Sequence, residues 1–253
     1  MHIRTALLPQ LAEGVQESVC VVIDVLRATT SLAVLFNQGC PLAYIAQSHD
    51  DARRIARSQG LALCGETGGF KVEDFDYGNS PVEFSALDFT NLPIVLSTTN
   101  GTRAAALVAG AKRVFLGAAI NRMAVARAAW ETAESLDVNI LLVCSGTDSQ
   151  YTLEDATIAG LYVEALASHA ERWFSPELDD ASIACRRLWQ NETNLLRGLM
   201  EGAHPRLLAD LGFGEDVAYC AQIDKLNAVP ILTSEEEAPT ITSPVILAAF
   251  SED

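Results

Sequence analysis

Positive charge is what this sequence has least of. Against 33 Asp and Glu stand 17 Lys and Arg and four His, a formal net charge of −16. Nucleic acids and anionic membrane surfaces bind basic faces, so this balance argues against both as partners. Paired cysteines are missing as well. Cys20, Cys40, Cys64, Cys144, Cys185 and Cys220 are scattered, without a C-x-x-C pair or zinc-finger spacing. Cys20, Cys64 and Cys144 fall inside apolar runs, where a thiol packs as a small buried hydrophobe. No stretch approaches the roughly 20 apolar residues of a membrane span. At the N-terminus His2 and Arg4 precede only a short apolar run that Pro9 interrupts, which does not read as a signal peptide. The expectation is a soluble, reduced, cytoplasmic protein.

Several motifs are also absent. There is no G-x-G-x-x-G after a strand and no G-x-x-x-x-G-K-[ST], which removes the usual nucleotide cradles. Ser145 lacks the G-x-S-x-G elbow. A cysteine phosphatase loop opening at Cys144 would need arginine at position 150, where Gln150 stands. His49, His169 and His204 have no histidine partner at ligand spacing; His204, before Pro205-Arg206, is the one placed next to a candidate site.

What is present is an ordinary globular composition, 49% hydrophobic and 20% charged over 253 residues. That length makes one large α/β domain or two small lobes, about 1–150 and 151–253. The run Val19–Ile23 reads as a buried parallel strand. It ends in Asp24, with Arg27, Thr29 and Thr30 following before a helix predicted from Leu32 to Gln38. Strands are predicted again over 41–46, 61–64, 94–97, 113–117, 138–144, 229–232 and 246–250, most followed by a helical pattern. The alternation predicts a mostly parallel, or mixed, sheet covered by helices on both faces. A helical insert is expected near 171–202 with Trp173 and Trp189 as anchors, and Glu235–Glu237 as a solvated turn. Two glycine clusters and a Ser-Pro make 65–81 a long loop of the kind that carries function.

Polar groups follow each of five strand ends: Asp24, Arg27, Thr29 and Thr30; Glu66; Thr98, Thr99, Asn100, Thr102 and Arg103; Asn121; Ser145, Asp148, Glu154 and Asp155. In a parallel sheet these ends share one rim, where ligands of open α/β sheets bind. Any single Ser, Thr or Asn there also suits a helix N-cap. Asp24 and Glu66 differ, because each directly ends an apolar strand. Carboxylates without histidine pairs or thiolates suit a hard cation such as Mg²⁺, which takes one or two of them and is completed by phosphate oxygens. Arg27 and Arg103 add bidentate anion contacts. Leu26 denies Asp24 a D-x-D signature, and direct attack by water and an aspartyl-phosphate at Asp24 both stay open.

Taken together, Ile23-Asp24-Val25-Leu26-Arg27-Ala28-Thr29-Thr30, Gly65-Glu66, Phe75-Asp76-Tyr77-Gly78-Asn79-Ser80-Pro81, Thr99-Asn100-Gly101-Thr102, Cys144-Ser145-Gly146-Thr147, Glu154-Asp155 with Ala159-Gly160, and Asp224 with Val229-Pro230 resemble the 2-phosphosulfolactate phosphatase family. The match runs in order from about Val19 to Leu232. Thr67 departs from the pattern, since the family commonly has arginine directly after Gly-Glu. The resemblance implies a three-layer α/β/α fold and a Mg²⁺-dependent phosphomonoesterase. Its reaction takes 2-phospho-3-sulfolactate to 3-sulfolactate and phosphate, a step of coenzyme M biosynthesis. On that reading the strand-end groups take roles: Asp24, Arg27 and Asp155 are catalytic, with Asp155 ahead of Asp148 for orienting water. Asp24, Glu66, Glu154 and Asp155 would hold the metal. Thr29, Thr30, Asn79, Ser80, Thr99, Asn100, Thr102, Arg103 and Ser145 would hold the substrate. The same chemistry on another small phospho-hydroxy-acid, or binding without turnover, are the competing readings. The sequence leaves a homodimer open.

Overall fold

In a computed structural model of the chain, residues 1–98, 101–169, 175–234 and 239–242 are described, with Thr102, Ser234 and Pro239 as backbone alone. The elements in order are β1 (His2–Ala6), β2 (Ser18–Ile23), α1 (Ala28–Asn37), β3 (Ala43–Ile45), α2 (His49–Gln59), β4 (Ala62–Thr67), β5 (Phe70–Lys71) and α3 (Pro81–Ser85). They continue with β6 (Ile94–Ser97), α4 (Gly101–Leu107), β7 (Arg113–Gly117), α5 (Arg122–Leu136), β8 (Asn139–Cys144), α6 (Leu153–His169), β9 (Glu177–Leu178) and α7 (Asp180–Gln190). The last are α8 (Leu195–Leu199), α9 (Ala203–Leu208), α10 (Gly214–Cys220), β10 (Ile231–Ser234) and β11 (Pro239–Thr242). Trp173, the Glu235–Glu237 turn and the predicted strand at 246–250 lie outside the described residues.

One sheet, ordered β5-β4-β6-β3-β11-β10-β7-β2-β8-β1-β9, runs through the molecule. All six residues of β2 are buried, as a central strand with both faces covered requires. Its side chains alternate between two cores. Val19, Val21 and Ile23, with Ile140, Leu142 and Cys144 of β8, pack under α5 and α6. Cys20 and Val22, with Leu141 and Val143, pack under α1 and α4. This alternation makes the three α/β/α layers. Behind α6, Gly160 lets α7 approach so closely that a Cβ there would fall 1.9 Å from the Cys185 carbonyl oxygen.

The sheet is mixed. β7, β2, β8 and β1 are mutually parallel, and so are β3, β6 and β4. Three antiparallel pairings, β7 with β10, β10 with β11 and β11 with β3, stand between the two blocks. The blocks therefore have opposite polarity, and the single rim expected of a parallel sheet does not exist. The carboxyl ends of the two blocks instead close on each other around the start of α1. Ala28, Thr29 and Leu32 there share a small void with Ile45, Leu96 and Leu116.

Helix α1 also begins four residues before the predicted start, at Ala28. The cause is local: the Thr29 amide and hydroxyl both donate to the Asp24 carbonyl, at 3.0 and 2.9 Å, and turn the chain into a helix directly after the strand. Ser48 caps α2 by accepting from the Asp51 amide, and Gly60 ends it in the left-handed region.

Candidate active site

The two carboxyl-terminal edges enclose a cavity of about 180 Å³. Pockets for drug-sized ligands run to roughly 300–1,000 Å³, so this one suits a small metabolite. Asp24 and Arg27 line it from the β2–α1 junction, Glu66 and Gly69 from the end of β4, and Asn79 from the long loop. Asp148 and His204 close one side, and Leu207, Leu208 and Leu211 roof it.

Asp24 is buried, and its carboxylate receives one backbone contact, from the Ala28 amide at 3.4 Å. Burial pushes its pKa up to about 6; proximity to His204 lowers it and the Glu66 charge raises it. Ser145 is buried beside it, close enough to help hold its charge, although its hydroxyl makes no hydrogen bond of ordinary geometry. Gly101 at the start of α4 presses on the same carboxylate: a Cβ there would meet Asp24 Oδ2 at 2.8 Å and the Ala28 Cβ at 2.7 Å.

Arg27 is only 4% exposed. One guanidinium nitrogen donates to Asp216 Oδ2 at 2.6 Å and another to the Gly69 carbonyl at 2.5 Å, while the Phe213 ring lies 4.4 Å beneath. Glu66 accepts the Gly69 amide at 2.9 Å and thereby shapes the Gly68-Gly69 turn beside Arg27. Asn79 is buried with its Oδ1 unpartnered, which fits a group that meets a ligand. His204 Nδ1 lies 3.0 Å from Glu154 Oε1 and 3.3 Å from Thr147 Oγ1. A carboxylate acceptor fixes the proton on Nδ1 and leaves Nε2 for other chemistry.

Several residues expected to touch ligand do something else. Asp155 Oδ1 accepts the Val25 amide and Oδ2 the Gly146 amide, both at 3.0 Å, so it clamps the β2–α1 and β8–α6 connections together. Burial and the nearby Asp24 charge push its pKa well up, and it stands behind the described residues that line the cavity rather than among them. Glu154 is committed to His204 through Oε1, and its Oε2 is buried without a partner. The Thr29 and Thr30 hydroxyls turn back to the carbonyls of Asp24 and Val25. Ser80 caps α3 and donates to Asp216 at 2.6 Å. Arg103 is exposed on α4, away from the cavity. Asn121 is buried, accepting from the Ala118 amide and donating to the Ala228 carbonyl. Asp224 pairs with Arg122 and accepts the Met123 amide. Thr99 and Asn100 lie outside the described residues, as does the side chain of Thr102. Thr67 faces away from the cavity, 2.8 Å from His49 Nε2. Asp216, which no strand-end argument could reach, is the residue sequence reasoning missed.

Comparison with known proteins assigns the chain to a family. The sequence profile of the 2-phosphosulpholactate phosphatase family matches residues 6–235. The chain belongs to the 2-phosphosulfolactate phosphatase family. It is 34% identical over 231 residues to a probable 2-phosphosulfolactate phosphatase of Carboxydothermus hydrogenoformans, covering 91% of this chain and 92% of that one. A probable 2-phosphosulfolactate phosphatase of Deinococcus radiodurans is 34% identical over 241 residues, 94% of this chain and 96% of its own. That of Symbiobacterium thermophilum is 34% identical over 226 residues, 88% of this chain and 94% of its own. The matched span takes in every described residue that lines the cavity. Among the described helices of this family member none is long and apolar enough to cross a membrane.

The donor set allows a test of the Mg²⁺ that the family resemblance implies. Among the described residues no three His, Cys, Asp or Glu side chains are grouped closely enough to cage an ion. Mg²⁺ does not need a cage, because it takes one or two carboxylates and keeps waters and substrate oxygens for the rest. Asp24 and Glu66 line one cavity and repel each other across it. Two facing carboxylates with the Arg27 cation already paired to Asp216 would repel a phosphate dianion. The residues fit a divalent cation.

Proposed function

We propose that this family member is a phosphomonoesterase that hydrolyses 2-phospho-3-sulfolactate to 3-sulfolactate and phosphate at the Asp24 cavity. The observation that carries the reading is the convergence of Asp24, Arg27, Glu66, Asn79 and His204 on one small cavity, from segments that match the family. Asp24 and Glu66 would hold Mg²⁺. When bound, the ion supplies positive charge against the phosphoryl oxygens.

The chain's own residues do the rest. Arg27 gives two of its five N–H donors to Asp216 and Gly69 and binds phosphoryl oxygens through the others, a contact that strengthens as charge develops in the transition state. The Asn79 amide, also lining the cavity, orients the substrate. His204, entering the step protonated on both ring nitrogens with its Nδ1–H held by Glu154, gives the Nε2 proton to the ester oxygen as the P–O bond breaks; the ring is left neutral and the leaving group departs as an alcohol. Leu208, buried, with Leu207 and Leu211 supplies the apolar part of the lining. Water attacks phosphorus opposite the departing ester oxygen, on the side away from His204, and its proton leaves with the phosphate.

Substrate choice is tested by comparing kcat/KM for 2-phospho-3-sulfolactate, 2-phospholactate and glycerol 2-phosphate under Mg²⁺. The sulfonated ester is expected to lead. A larger value for either of the others would move the assignment to another small phosphoester.

A further inference from the structure

We propose that Asp216, on α10, is a positioning residue of the site: it holds Arg27 in the orientation that binds phosphate. The inference rests on the reading of Arg27 given above and deepens it.

Asp216 stands 189 residues from Arg27 in sequence, and both side chains are 3% exposed. Its two carboxylate oxygens are fully engaged. Oδ2 accepts from Arg27 at 2.6 Å; Oδ1 accepts from the Ser80 hydroxyl at 2.6 Å and the Val82 amide at 3.4 Å. Three segments that contribute to the cavity therefore meet on one acid: the β2–α1 junction, the Asn79-Ser80-Pro81 loop and the α9–α10 roof. The guanidinium extends the tie to a fourth, the Gly69 carbonyl, and Phe213 of the roof lies against its face.

Stability alone does not account for the pair. A buried ion pair is often no better than well-packed apolar side chains of similar volume. An arginine is long and loses much side-chain entropy when ordered. A carboxylate that takes one N–H of the guanidinium, with a carbonyl on a second nitrogen, restrains how the remaining N–H groups are aimed. Those N–H groups belong to a residue lining the cavity.

A double-mutant cycle read as affinity for inorganic phosphate, by calorimetry on the full chain in Mg²⁺ buffer, tests this. Asp216→Asn is expected to weaken phosphate binding at least tenfold. Arg27→Met/Asp216→Asn is expected to bind within about twofold of Arg27→Met alone, because Asp216 acts through Arg27. Asp216→Glu keeps the charge and is expected to recover affinity to within about threefold of wild type. Arg27→Met/Asp216→Leu replaces the pair by apolar volume. It is expected to fold, and to bind like Arg27→Met, so the test survives if Asp216→Asn does not fold. Wild-type affinity in Asp216→Asn would overturn the proposal. So would additive losses in Arg27→Met/Asp216→Asn, an Arg27→Met/Asp216→Leu that binds much more weakly than Arg27→Met, an Asp216→Glu as weak as Asp216→Asn, or a wild type that binds no phosphate. Phosphate affinity is independent of turnover. A protein that binds phosphate through this pair but hydrolyses nothing would fail the phosphatase reading and leave the positioning role standing.

Discussion

Asp24 is held in a state that opposes stability. Its pKa is about 6 in the folded protein, against about 3.9 for an unfolded aspartate. The folded state thus binds the proton more tightly, and stability falls as pH rises from about 4 to about 6, then levels off. Asp24→Asn removes that penalty. It is expected to raise the unfolding free energy by about 2–3 kcal/mol at pH 7 and by almost nothing at pH 4, while abolishing turnover. Denaturant titrations at the two pH values check it, and equal effects at both would refute the burial argument. His204 carries a different signature. If Nε2 protonates the leaving oxygen, His204→Gln should lower kcat/KM on an alkyl phosphate by about 100-fold. On p-nitrophenyl phosphate, whose leaving group needs no proton, the loss should stay within about threefold. A uniform loss on both esters would make His204 a structural residue.

At the scale of elements, two glycines separate fold from site. Gly160→Ala drives a Cβ into the Cys185 carbonyl and forces α6 off α7, an overpacking expected to remove about 3 kcal/mol or more. Gly101→Ala meets Asp24 Oδ2 and the Ala28 Cβ instead. It is expected to melt within a few degrees of wild type and to lose most activity, measurable by paired thermal melts and assays. Most elements were legible in the sequence because their signals are local: the apolar run of β2, the Ser48 cap and the Gly60 stop of α2. The partition of the site was not. Asp24, Glu66 and Asn79 could be placed because each stands at a strand end or in a long loop. Thr29, Thr30, Ser80 and Asp155 carry the same chemistry at the same kind of position. Only the fold shows their oxygens turned to backbone or to Asp216. The polarity of the β4-β6-β3 block was equally hidden, since it is set by a hairpin, β10–β11, that arrives last in the chain.

For the molecule as a whole, the net charge of −16 and the chemistry of the cavity point the same way. An acidic protein that handles a small polyanion needs a concentrated local positive charge, and here Arg27 is already balanced by Asp216. The central claim is that the Asp24 cavity is a phosphomonoesterase site completed by a divalent cation. The most direct measurement is release of inorganic phosphate from 2-phospho-3-sulfolactate. It would be followed for the wild type and Asp24→Asn with Mg²⁺, after chelation, and after Mg²⁺ is restored. The account predicts steady release by the wild type, loss on chelation, recovery with Mg²⁺, and no release by Asp24→Asn. Absence of phosphate release by the wild type from this ester and from related 2-phospho-hydroxy-acids, while the same compounds raise its melting temperature, would contradict it and leave a binding protein.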